Sequence, residues 1–201
     1  VMSEPIKFYF DFSSPYGYFA ALKIDELAAS FGRQVEWHPM MLGAAMKVTG
    51  AKPSAEIELK GDYCKNDWDR LARYMEVPWT LPAVFPIGTL AASRAFYWLD
   101  DQDDALAKRF ALAAFNVYFG QGRDITPAET VAEFAEPLGV DRDALLAAVQ
   151  DQAIKQRLKD ETGKAIDAGV FGSPFYIIDG EPFWGADRLW MIRRWLKSGG
   201  W

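Results

Sequence analysis

Apolar residues change their spacing twice along this chain, and the order of those changes limits its fold more than any other feature. At the N-terminal end, Ile6-Lys7-Phe8-Tyr9-Phe10-Asp11-Phe12 is rich in aromatic and β-branched residues, the composition of a buried strand. Ser13-Ser14-Pro15 reads as a helix start, because a serine cap ahead of a proline supplies both a hydrogen-bond acceptor and a preset φ. Tyr18, Phe19, Leu22 and Leu27 then fall roughly on one face, and Gly32 ends that helix. Residues 34–38 alternate as a second strand, halted by Pro39. The segment is a βαβ unit.

From Leu42 to about Gln150 no strand pair is legible. Helical spacing runs instead over residues 67–75, 88–99, 104–119, 127–137 and 141–149. Prolines at 78, 82 and 86 punctuate an extended link between the first two. Thr126-Pro127-Ala128-Glu129 has the form of a capping box. The acidic run from Asp100 to Asp104 lacks the glycine and closing glutamate of a calcium loop, so it reads as a solvated helix connection. Mixed structure returns after residue 150. A helix over 151–168 leads through Phe171-Gly172-Ser173-Pro174 into Phe175–Ile178, and Asp179-Gly180 then signals a hairpin to Glu181–Trp184. A last helix starts near Asp187, where a carboxylate is favoured. The chain thus divides into a split α/β unit (1–41 and 151–201) around a helical block (42–150).

Composition removes several function classes. Half of the 201 residues are hydrophobic and 15% aromatic, enough for a large core. The net charge of −6, with no basic block, argues against a nucleic-acid surface. One cysteine, Cys64, and one histidine, His38, leave neither an internal disulfide nor the usual zinc or haem ligands, so no metal is expected. No stretch approaches the roughly 20 apolar residues of a membrane span. Val1 ahead of Met2 reads as an expression scar, the short run after it is no signal segment, and a cytoplasmic location is the default expectation.

Three motifs in order carry a resemblance. They are Phe10-Asp11-Phe12-Ser13-Ser14-Pro15-Tyr16, Asp62-Tyr63-Cys64-Lys65-Asn66-Asp67, and Phe171-Gly172-Ser173-Pro174 followed by Trp184-Gly185-Ala186-Asp187-Arg188. With the element order, they resemble the 2-hydroxychromene-2-carboxylate isomerase family of DsbA-like thioredoxin folds, relatives of the kappa-class glutathione transferases. The implied fold is α/β, thioredoxin-like, with a large all-helical insertion between the βαβ and ββα halves. Redox members carry Cys-Pro-x-Cys where this chain has Ser14-Pro15-Tyr16-Gly17, which removes thiol–disulfide chemistry.

The resemblance implies glutathione as cofactor, with Ser14 as the catalytic residue. Its hydroxyl and the helix start would hold the glutathione sulfur as thiolate. Read without the other motifs, Ser13 or Ser14 is simply a helix cap. Ser173 would offer its backbone to the thiol partner ahead of a cis Pro174. Trp184, Gly185, Ala186 and Asp187 would hold the γ-glutamyl end, with Asp187 facing its ammonium, although Asp187 could equally cap its helix. Lys47, then Lys52, is the candidate for the carboxylate of a small aromatic substrate. The family's asparagine is absent where Pro53-Ser54-Ala55 stands, so Ala55 marks a departure.

Reversible addition of the thiolate to a conjugated carbon would make the double bond rotatable, giving a cis–trans isomerisation. A kappa-like transferase and a non-catalytic DsbA-like binding protein are the alternatives, and a homodimer is implied. Serine hydrolase chemistry is a poor alternative: the flanks form no nucleophile elbow, and His38 ends a strand before a proline. Asn66 and Arg94 read as weak candidates, or as solvent-facing or capping residues. Lys65 and Asp67 read as a helix-face pair or a tie between the halves, His38 as structural, and Cys64 as a partly buried thiol.

Overall fold

The computed structural model describes residues 4–201, so the reading of Val1 and Met2 lies outside the described residues. Strand β1 (Ile6–Phe10) buries every side chain but Lys7, as its aromatic run requires. Ser14 then caps α1 (Pro15–Ala21), its Oγ accepting the Gly17 N–H at 3.0 Å with Pro15 in the first turn. In place of the expected single helix to Gly32 the chain forms two. The chain turns at Leu22 and Lys23 and resumes as α2 (Ile24–Ala29), which lets Ile24 and Leu27 reach the core together with Tyr18 and Phe19. Strand β2 (Val35–Pro39) lies parallel to β1, with Phe8 opposite Trp37.

The block that follows contains no strand, in keeping with its spacing. Its first helix, α3 (Leu42–Thr49), closed by Gly50 at φ 76°, falls where no helix is expected from the spacing. The second, α4 (Lys60–Met75), begins a full turn and more before residue 67 and carries the whole Asp62–Asp67 motif. Then come α5 (Leu90–Asp100) and α6 (Asp104–Phe115), the latter widening into a π-turn at Asn116–Gly120. In α7 (Ala128–Ala135) the capping box fails. Pro127 is itself the cap residue, and the Thr126 hydroxyl donates to Asp124 Oδ1 at 2.6 Å, two residues upstream, rather than serving the helix. In the acidic connection Asp103 caps α6, while Asp101 meets Arg157 at 2.6 Å.

After α8 (Arg142–Ala148), α9 (Gln152–Asp167) is capped by Asp151. Strands β3 (Phe175–Ile178) and β4 (Glu181–Trp184) form the expected hairpin. Asp179 and Gly180 both have positive φ, 53° and 86°, the conformation a two-residue turn needs to match strand twist. Helix α10 (Leu189–Ser198) ends the fold. The sheet order is β2-β1-β3-β4, with β3 antiparallel to β1, the arrangement expected of a thioredoxin-like chain.

One face of the sheet and the helical block share a single aromatic core. Phe10 contacts Trp37, Phe96 and Phe115, and Phe115 reaches on to Phe12, Tyr18 and Phe119. Polar ties cross the same boundary, and the buried Tyr97 of α5 donates its hydroxyl to the Pro39 carbonyl of β2 at 2.6 Å. Tyr97→Phe is expected to cost about 1–2 kcal/mol, because that carbonyl would stay buried without its donor. Urea unfolding checks this, with a lowered midpoint at unchanged slope.

Candidate functional site

The C-terminal end of β1, the start of α1 and the Ser173-Pro174 turn meet at one point. The Ser173–Pro174 peptide is cis, as the resemblance implies. Ser14 Oγ donates to the Ser173 carbonyl at 3.1 Å while accepting the Gly17 N–H, and Ser173 Oγ in turn accepts the Asp11 N–H at 3.0 Å. Gly17 is required here, since a Cβ would stand 2.9 Å from Ser173 Oγ and 3.2 Å from Ser14 Oγ. Ser14 is buried at 8% exposure and Ser173 is half-buried. Among the described residues the N–H groups of Tyr16 and Ser173 have no acceptor, so two main-chain donors border the Ser14 hydroxyl.

Asp11 organises this junction. Although 6% exposed, it receives three hydrogen bonds. Oδ1 takes the Ser13 N–H and the Thr89 hydroxyl, each at 2.9 Å, and Oδ2 takes the Leu42 N–H at 2.9 Å. One side chain therefore fixes the serine turn, the start of α3 and the start of α5. Burial raises its pKa above the ordinary carboxylate value, and the three donors offset part of that rise. From the sequence Asp11 is only a member of a motif. A lone carboxylate between Phe10 and Phe12, closing an apolar strand, is the signal that marks it as buried and bonded.

The second side of the turn is open. Trp184 and Phe171 are exposed, with rings 5.1 Å apart, and the indole lies against Gly172, where a Cβ would collide with Nε1. Gly185 takes φ 113° and donates its N–H to the Pro174 carbonyl at 3.0 Å, which locks the two turns together. Ala186 follows it, half-buried in a short 3-10 turn. Asp187 makes no capping hydrogen bond, and its carboxylate is 80% exposed beside Arg188 at 3.6 Å. Ser14, Ser173, Pro174 and Gly185 are thus joined in series, with the exposed Asp187 carboxylate beside Arg188 next in line.

Other candidates lie apart or acquire partners. Lys47 lies in the last turn of α3 and Lys52 follows the helix, both exposed. Ala55 is half-buried, its carbonyl pressed where a Cβ on Gly61 would stand. Lys65 and Asp67 do not pair, since residues two apart point away from each other on a helix. Lys65 meets Asp62 at 3.8 Å, whereas Asp67 Oδ2 accepts the Tyr16 hydroxyl at 2.7 Å and so ties α4 to α1. That carboxylate, after burial, pushes the Tyr16 hydroxyl's pKa upward. Cys64 is buried on α4, Asn66 is exposed, and His38 stacks on Tyr9 at 5.0 Å. Arg94 is neither a cap nor fully solvent-facing: its Nε is buried without a partner. No group of metal-binding side chains is gathered among the described residues, and none of their helices is long and apolar enough to cross a membrane.

A family model described as the DSBA-like thioredoxin domain matches residues 5–197. The chain belongs to the DSBA-like thioredoxin family. Within it the chain groups with the 2-hydroxychromene-2-carboxylate isomerases. The enzyme of that name from Sphingobium xenophagum is 32% identical over 197 residues, 97% of this chain and 99% of the relative. Glutathione S-transferase kappa 1 from Caenorhabditis elegans is 27% identical, covering 96% of this chain and 91% of the relative. A solved structure of a 2-hydroxychromene-2-carboxylate isomerase superposes with a TM-score of 0.88 at 29% identity, over 97% of this chain and 95% of that one. The DSBA-like frame therefore carries, in this chain, a serine at the helix start and neighbours that are isomerases and glutathione transferases.

Proposed function

We propose that this chain is a glutathione-dependent cis–trans isomerase of a small aromatic carboxylate. The observation that carries the reading is the Ser14 hydroxyl at the start of α1, one hydrogen bond from the carbonyl that precedes a cis proline. The residues fit the cofactor. Ser173 would pair its free N–H with the cysteinyl backbone, and Asp187 would face the γ-glutamyl ammonium. Bound glutathione would supply a sulfur nucleophile whose reversible addition to a conjugated carbon frees a double bond to rotate.

The chain's own part is electrostatic. When a sulfur enters, the Ser14 Oγ–H would turn to it from the Ser173 carbonyl and, with the Tyr16 N–H, favour the ionised thiol over the neutral one. Asp11 holds both sides of the sulfur position in register through Ser13 and the backbone bond to Ser173 Oγ. Lys47, with Lys52 second, would orient the substrate carboxylate. Pairing into a homodimer in the cytoplasm completes the reading. The kappa-type relatives support a second reading, in which the thioether product leaves.

The deciding experiment follows 2-hydroxychromene-2-carboxylate by absorbance with and without glutathione, while free thiol is counted. Isomerisation that requires glutathione, with the thiol count unchanged over many turnovers, is the expected result. Stoichiometric thiol loss with a chlorinated aromatic acceptor would move the chain to the transferase reading. Absence of calorimetric binding at millimolar glutathione would end both and leave a non-catalytic binding protein.

A further inference from the structure

A partly open cavity lies beyond the Asp11 junction, where Met41 and Leu90 adjoin the Leu42 and Thr89 donors to the Asp11 carboxylate. It measures about 340 Å3 and is walled by α3, α5 and α9. Its lining is mostly aliphatic, with Met41, Leu90, Leu158 and Ile166 as the main surfaces, and Leu90 is left 45% exposed at its edge. That volume falls within the range of small-molecule pockets.

Three cations, Arg94, Lys155 and Lys159, line the cavity, and no aspartate or glutamate does. None of the three forms a salt bridge among the described residues. Their neighbours on α9 are paired: Arg157 meets Asp101 and Glu161, and Lys164 meets Glu161. Lys155 and Lys159 stand four apart on one helix face, where like charges repel. In a chain of net charge −6, this is an uncompensated positive cluster. Arg94 donates to the Val149 carbonyl at 3.3 Å but leaves Nε buried without an acceptor, and its apolar surroundings lower its pKa. Thr162 is buried and accepts the Met41 N–H at 3.2 Å, so its own O–H proton is still free to donate.

A cluster of unpaired donors over an aliphatic floor matches a ligand with one anionic end and one apolar body. We infer that this cavity binds a small apolar carboxylate, about the size of a naphthoate, at a site separate from the Ser14 site. The carboxylate meets Arg94 and the two lysines, with the Thr162 hydroxyl as a further donor, and the rings lie against Leu158 and Ile166. This inference stands independently of the thiol-site reading.

Gly163 provides a clean test, because a Cβ built there meets nothing within 4 Å and the residue lines the cavity. Gly163→Phe therefore starts from an unobstructed Cβ and places an aromatic ring at the cavity wall, and phenylalanine favours a helix over glycine. Naphthoate is titrated calorimetrically into the full chain, with thermal melting as the check on folding and amide chemical shifts as the check on position. The expected result is saturable binding that shifts the Thr162 and Gly163 amides and persists under saturating glutathione. Gly163→Phe removes it while leaving glutathione binding unchanged. Arg94→Gln weakens it about tenfold, the loss of one charge-assisted contact, and naphthalenemethanol, without the charge, binds correspondingly less well. No saturable binding, displacement by glutathione, or affinity unchanged in both folded variants overturns the inference.

Discussion

Asp11→Ala is expected to lower folding stability by about 3–5 kcal/mol, the largest single effect outside the aromatic core. The carboxylate satisfies two backbone N–H groups and one hydroxyl at a place closed to water. Deleting it strands all three and opens a space between β1, α3 and α5. Asp11→Asn is no rescue. Its carbonyl oxygen can keep the Ser13 and Thr89 donors, but its amide then turns two hydrogens toward the Leu42 N–H. Urea denaturation of both variants measures the loss, and a change below about 1 kcal/mol in each would show that water replaces the carboxylate.

The pH dependence has a definite sign. Burial raises the folded-state pKa of Asp11 above its unfolded value, so ionisation is less favourable in the folded chain. Its contribution is therefore largest at acidic pH, below the ordinary carboxylate pKa. It diminishes as pH rises through the folded value. The gap between the native chain and Asp11→Ala should narrow over that interval.

Ser14→Ala is expected to act on chemistry more than on folding. Losing the N-cap costs about 1 kcal/mol of stability. Losing a hydroxyl aimed at a developing anion should lower kcat/KM roughly a hundredfold, by analogy with removal of one oxyanion donor. Ultraviolet titration of bound glutathione separates the two effects, since the thiol pKa must rise in the variant. A titration curve that does not move takes Ser14 out of the mechanism whatever happens to the rate.

How much of this was legible beforehand depended on how local the determining physics is. Ser14 as cap, the Asp179-Gly180 hairpin and the strand-free helical block follow from spacing and turn chemistry within a few residues. The break between α1 and α2 does not, because neither glycine nor proline marks Leu22 and Lys23, and the turn is set by what Ile24 and Leu27 pack against. Helix α3 escaped for a related reason. Leu42-Gly43-Ala44-Ala45-Met46 has weak amphipathic contrast, and its start is held by Asp11, which lies far away in sequence. The Thr126 box misled because Asp124 competes for the same hydroxyl. The residues of the Ser14 site stand in motifs that the sequence displays, whereas the α3–α5–α9 cavity needs three helices brought together and has no linear signature.

The contact between the Ser14 hydroxyl and the Ser173 carbonyl has one more consequence. A hydroxyl owns one proton, and here that proton is already given to a neutral oxygen. A sulfur that enters the site can gain it only by exchange. A neutral thiol is a poorer acceptor than a carbonyl, so for that form the trade is uphill. A thiolate makes a charge-assisted bond about twice as strong as a neutral one, and for it the trade is downhill. In the proposed reaction the serine would therefore act as a selector between two protonation states of its guest, leaving the uncharged form almost unrewarded and switching partners only when the negative charge is present.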